Sequence, residues 1–271
     1  MMNRRAMAAI VRKDLMVVTR SRGVILPIVL VPLIMLVILP AVAALVPQFI
    51  DDASFEEFEV LLEAMPAGMQ DQLTELTDPQ RLVILLVVYF MAPMYLIVPL
   101  MVASVIAADS FAGEKERKTL EALLYTPTSD RELLTAKLLS AWIPALAVAW
   151  GGFVLYAVVG NAAAWSVMGR LFFPNWMWIV LVIWVVPAVA GLGLLITVLI
   201  SVRVRGFQEA YQLSGVVVLP ILLLVIGQAT GVMVMSTGLV ALLGLVLWIV
   251  DLWLLRYGAR TFRRGELIAR L

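Results

Sequence analysis

The chain has 271 residues, 63% of them hydrophobic and only 14% charged, and its mean hydropathy is +1.03. A soluble domain carries about a quarter charged residues, so most of this surface must meet lipid rather than water. The absence of Cys and His excludes disulfides, thiolate or imidazole metal ligands and histidine general bases.

Residues 1–23 alternate cations (Arg4, Arg5, Arg12, Lys13, Arg20, Arg22) with Met7, Ile10, Val11, Leu15 and Val18 at three- and four-residue steps. That period predicts an amphipathic helix lying on the cytoplasmic membrane surface, with its cations toward anionic headgroups. The apolar run that follows is too long for a signal-peptide core and is expected to remain in the membrane as a first span, 24–46. Residues 47–81 carry nine acids against one cation, Arg81, and are expected on the outer face, with Ser54-x-x-Glu57 capping a short helix. This acidic segment either gathers cations at a pathway mouth or is a solvated face that avoids Lys and Arg. A second span covers 82–108, and a charged segment, 109–137, separates it from a third, 138–160. Trp176 and Trp178 open a fourth span, 176–200, as an interfacial belt does. A fifth covers 213–229 and a sixth 238–255.

Under this layout 18 of the 20 Lys and Arg fall on one side, leaving only Arg81 and Arg170 on the other. The positive-inside rule then predicts both termini in the cytoplasm. The expected fold is an all-α polytopic membrane protein, a single unit over 1–271 with about six transmembrane helices and no soluble domain. Five of the six spans contain proline. The carbonyls that proline frees need other partners in lipid, which suits either helices that move or ordinary packing.

The segment 109–137 has its own organisation. Glu114 to Leu124 reads as a helix, with Glu114 and Lys118 as an i,i+4 pair and Leu120, Leu123 and Leu124 as an apolar edge. Thr126-Pro127 ends it, and Ser129-x-x-Glu132 reads as a capping box restarting a helix into the third span. Asp251 is the one clear ionisable group inside a span. One turn from Arg256, it reads as an interfacial anchor, with a proton or ion role as the alternative.

The run Gly113-Glu-Lys-Glu-Arg-Lys-Thr-Leu-Glu-Ala-Leu-Leu124, followed by Thr126-Pro127, resembles the signature between the second and third spans of permease subunits of type-2 ATP-binding-cassette (ABC) transporters. Arg12-Lys-Asp-Leu15 and Glu209-Ala-Tyr-Gln-Leu-Ser214, leading to Pro220, resemble further stretches of that family. Lys118 stands where the family commonly has Gly, which predicts a more helical backbone there. The resemblance implies a transport subunit working as a homodimer or heterodimer, with two copies of a cytoplasmic ATPase subunit that hold ATP and Mg. Glu114, Lys115, Glu116, Arg117, Lys118, Thr119, Leu120, Glu121, Leu123 and Leu124 would form the coupling element against that partner. The chain itself has no G-x-x-x-x-G-K-[ST] phosphate loop, so it is expected to bind no nucleotide and catalyse nothing. The implied location is the plasma membrane of a bacterium or archaeon. The implied activity is export of a lipophilic or amphipathic cargo, with lipid around the chain and no nucleic-acid partner. A gradient-driven transporter or channel and a non-transporting scaffold are the alternatives.

Overall fold

A computed structural model describes residues 4–49, 73, 75–119, 129–230 and 232–261, apart from the side chains at 22 and 259–261. The predicted helix after Ser54, the run Leu120 to Pro127 and the tail beyond 261 lie outside the described residues. Among the described residues the fold is helical throughout. A first helix, α1 (Arg4–Arg20), is followed by six helices long and apolar enough to cross a membrane. These are α2 (Gly23–Gln48), α3 (Asp78–Glu116), α4 (Asp130–Ala163), α5 (Trp176–Ser201), α6 (Phe207–Ala229) and α7 (Thr237–Gly258).

The six spans fall where hydropathy puts them, but α3 and α4 are longer than expected. At 1.5 Å per residue the 39 residues of α3 reach about 58 Å, against a hydrocarbon core of roughly 30 Å. The last turns of α3 therefore project beyond the apolar layer. The start of α4 projects at the same end, because Ser129 caps it: its Oγ accepts from the Glu132 N–H at 3.3 Å, and its own N–H donates to Glu132 Oε2 at 2.8 Å.

α3 and α5 are the centre of the bundle, with 67% and 61% of their apolar windows buried, against 22% for α2, α6 and α7. The outer helices turn Leu30, Leu223, Leu245 and Trp253 to the surface, as lipid contact permits. Three spans become π-helical just before a proline: Ile34–Ile38 before Pro40, Ile84–Phe90 before Pro93 and Leu181–Val185 before Pro187. Proline supplies no N–H to the preceding turn, and hydrocarbon offers no substitute. At two of these three sites an indole from a neighbouring helix supplies it instead. Val88 O, five residues before Pro93, accepts from Trp178 Nε1 at 2.7 Å, and Val182 O, five before Pro187, accepts from Trp150 Nε1 at 3.1 Å. Tyr156 OH donates to Val87 O at 2.5 Å in the same π-helical stretch of α3. Trp178 is fully buried, stacked on Tyr156 and edge-on to Tyr95 and Phe173. The π-helical turn before Pro93 is thus held by an aromatic cluster of Tyr95, Tyr156, Phe173 and Trp178.

α5 and α7 run the same way and interlock large side chains with glycines. Trp184 lies on Gly244, Asp251 on Gly191 and Leu199 on Gly258, at steps of seven and eight residues along α5 and of seven along α7. A Cβ on Gly191 would meet Asp251 Oδ2 at 2.6 Å, so only glycine leaves room for that carboxylate.

Candidate coupling site

The projecting end of α3 is a buried ionic site. Asp109 to Glu114 are all buried, the first five of them in a π-helical turn. Glu114 is the hub. Its Oε2 lies 2.6 Å from Lys137 Nζ on α4, and its Oε1 accepts from Lys13 Nζ on α1. Lys137 is fully buried; its ammonium also donates to Ser110 O at 2.6 Å, stands 3.8 Å from Asp14 Oδ2 and lies 5.2 Å above the Phe111 ring. Asp14, only 2% exposed, takes Lys13 Nζ at 3.0 Å and the Ser140 hydroxyl at 3.0 Å. Two buried carboxylates, one buried ammonium and the half-exposed Lys13, from three separate helices, thus neutralise one another. Such charges are tolerated only when paired and hydrogen-bonded, as these are. Burial pulls the Lys13 ammonium down, but Glu114 and Asp14 more than offset it and leave its pKa raised.

The turn after Glu114 reaches the other side of the bundle. Glu116 Oε2 accepts from the Phe207 N–H at 3.0 Å, and Lys115 Nζ donates to Val204 O at 3.4 Å, so the start of α6 is held as well. Arg117 folds back, Nη1 to Asp109 Oδ1 at 2.9 Å and Nη2 to Asp109 O at 3.3 Å. Burial opposes the guanidinium charge, but Asp109 outweighs it and raises its pKa. Arg117 crosses Gly113 so closely that a Cβ there would lie 2.9 Å from Asp109 Oδ1 and 3.2 Å from Arg117 Nη1.

Two expectations for this segment are corrected. The helix does not run unbroken from Glu114 to Leu124; it stops at Glu116. The Lys118 N–H donates to Lys115 O at 3.1 Å and the Thr119 N–H to Glu114 O at 2.9 Å, the paired bonds of a Schellman C-cap. Lys118, expected to be more helical than Gly, has φ 56° and is the left-handed residue of that cap. The Glu114 carboxylate accordingly turns to Lys13 and Lys137 rather than to Lys118. Glu116, Arg117, Lys118 and Thr119 are exposed and Lys115 is half-buried. Leu120, Glu121, Leu123 and Leu124 lie outside the described residues. Asp251 is buried on α7, Arg256 is exposed, and no ion pair joins them. The Asp251 oxygens accept no hydrogen bond among the described residues.

Asp14, Ser110, Lys137 and Ser140 are the members that charge patterning missed, and Lys13, expected to face headgroups, turns to Glu114 and Asp14 instead. Position 14 carried a usable signal, since Ile10, Asp14 and Val18 share the buried stripe of α1, where an acid needs a partner.

Residues 8–256 match the family model described as ABC-2 family transporter protein. The chain belongs to that family. Neither a curated protein nor a solved structure matches it. As an ABC-2 membrane protein it is an ABC permease subunit, and the family implies pairing with an ABC ATPase. The match takes in α1 from its second turn onward and every candidate span save the last two residues of α7, so the ionic site lies wholly inside the family domain.

Proposed function

We propose that this ABC-2 permease is the membrane half of an ATP-driven exporter, and that the ATPase subunit docks on the exposed turn at Glu116 to Thr119 and the residues to Leu124. The single observation supporting this reading is the Glu114 hub. A push on that turn reaches α4 through the fully buried Lys137 pair, α1 through the half-buried Lys13 and α6 through the exposed Glu116. ATP and Mg belong to the partner, in two copies against two permease chains. Closure of the ATPase pair drives the turn, and α1, α3, α4 and the start of α6 follow it together. The cytoplasm is the side that carries α1 and this turn, and the host membrane is the plasma membrane of a bacterium or archaeon. Apolar spans with few buried charges suit a lipophilic or amphipathic cargo.

Extraction from native membranes in mild detergent tests the docking. The reading expects a stoichiometric soluble subunit bearing a nucleotide-binding motif, and its loss in a Leu120→Asp, Glu121→Lys variant. A chain that purifies alone under several extraction conditions contradicts it. The buried Asp251, without a hydrogen-bond partner among the described residues, favours gradient-driven transport as a second reading. Cargo movement that needs ATP and ignores a pH gradient removes it.

A further inference from the structure

A hollow of about 530 Å³ runs along the outward side of α1. Its floor is apolar, made by Ala8, Ala9, Met16 and Val17, and its cationic rim is Arg12, Lys13 and Arg20. Ala8, Arg12, Met16 and Arg20 follow at four-residue steps, share one side of the helix and are exposed, Met16 at 44%. The opposite side, Ile10, Asp14 and Val18, is buried against the bundle. Asp14 is the only acid of α1, and it points inward to Lys13, Lys137 and Ser140. Among the described residues the lining therefore has three cations and no anion.

The depth of the hollow follows from what holds α1. Ser21 alone separates α1 from the helix that becomes the first span, and its N–H bonds back to Val17 and Val18 carbonyls. Lys13 and Asp14 tie the same helix to the end of α3 and the start of α4. α1 is thus tied at its C-terminal end to the first span and at its middle to the ends of α3 and α4. A soluble anion would use only the rim and leave the apolar floor wet. An acidic amphiphile uses both: its charge meets the rim and its chain covers the floor.

We propose that this hollow binds one anionic phospholipid. Its phosphodiester lies between Arg12 and Arg20, and the head of its acyl chain covers Met16 and Val17. The two arginines are eight residues apart, about 12 Å along the axis, a gap that two long side chains close from opposite ends. The volume lies within the roughly 300–1,000 Å³ of small-molecule sites. Lys13, also on the rim, gains a third anion beside Asp14 and Glu114, so the lipid strengthens the seating of α1. The inference stands independently of the ATP-driven reading.

The test reconstitutes the full chain in nanodiscs containing photoreactive phosphatidylglycerol or, at equal mole fraction, photoreactive phosphatidylcholine, and maps the labelled peptides by mass spectrometry. Phosphatidylglycerol is expected to label Ala8 to Arg20 at least about tenfold more than phosphatidylcholine, since each nearby cation favours anionic lipid by about 1 kcal/mol. Arg12→Gln with Arg20→Gln should bring that labelling to the phosphatidylcholine level and leave other sites unchanged. Both arginines are exposed, so the variant keeps the fold. Equal labelling by the two probes, or labelling indifferent to the double substitution, overturns the proposal. Displacement by millimolar glycerol phosphate also overturns it, by making the site one for a soluble anion. So does protection of α1 by the ATPase subunit with no lipid preference.

Discussion

Lys137 Nζ lies 2.6 Å from Glu114 Oε2, both groups almost wholly out of water, across the boundary between the second and third spans. This pair, closed by Lys13 and Asp14, fixes α1 and the start of α4 to the projecting end of α3.

Removing one member strands a buried charge. Glu114→Gln or Lys137→Met alone should cost on the order of 3–5 kcal/mol, whereas Glu114→Leu with Lys137→Met should cost much less than the sum. Thermal unfolding of the purified chain measures this, and additive losses would mean the pair is not coupled.

Lys118 has a left-handed backbone that strains any residue with a Cβ by about 1–2 kcal/mol. Lys118→Gly is therefore expected to stabilise the chain by up to about 1 kcal/mol, and Lys118→Val to destabilise it further, because β-branching worsens the strain. The order of the melting temperatures Gly, Lys, Val checks the cap.

The α5–α7 seam predicts a suppressor. Gly191→Ala drives a methyl into the Asp251 carboxylate and should cost about 1–3 kcal/mol by overpacking. Asp251→Ala in the same chain frees that space, so the double variant should melt above Gly191→Ala alone.

Trp178→Phe keeps an aromatic ring, deletes the indole donor to Val88 O and leaves a small cavity at a fully buried site. An unsatisfied buried carbonyl costs about 1–3 kcal/mol. Trp184→Phe, at a partly exposed site, should cost clearly less by the same melting assay.

The pH dependence of α1 docking follows from Lys13. Its pKa is raised in the folded protein, so its protonated form favours the folded state. That contribution is fully present below the ordinary lysine value near 10.5 and is lost as pH rises through the raised value. A spin label at Met16 should keep constant mobility from neutrality to about pH 10.5 and loosen only beyond it. Loosening already between pH 6 and 9 would mean that another group governs the contact.

The spans were legible because lipid demands long apolar runs, and the Ser129–Glu132 cap because both partners are three residues apart. The hub was half legible. Glu114 was identified, but as a partner for Lys118 on one helix face, because spacing sees only neighbours in sequence. Its actual partners lie 101 and 23 residues away. The left-handed turn at Lys118 was masked by good helix formers on both sides, and tertiary pull on Glu114 overrode their propensity. The indole donors were invisible for the same reason: proline reveals the freed carbonyl but not the helix that answers it.

The central claim is that Glu114 makes α1, α3 and α4 one rigid unit. The absence of cysteine allows clean paired spin labels at Met16 on α1 and Arg131 on α4, both exposed. Their distance distribution, taken by pulsed electron resonance on the full chain with its ATPase partner, is the direct test. A single narrow distribution, unchanged on adding nucleotide and broadened by Glu114→Gln, is the predicted result. A distribution that Glu114→Gln leaves unaltered would contradict the account.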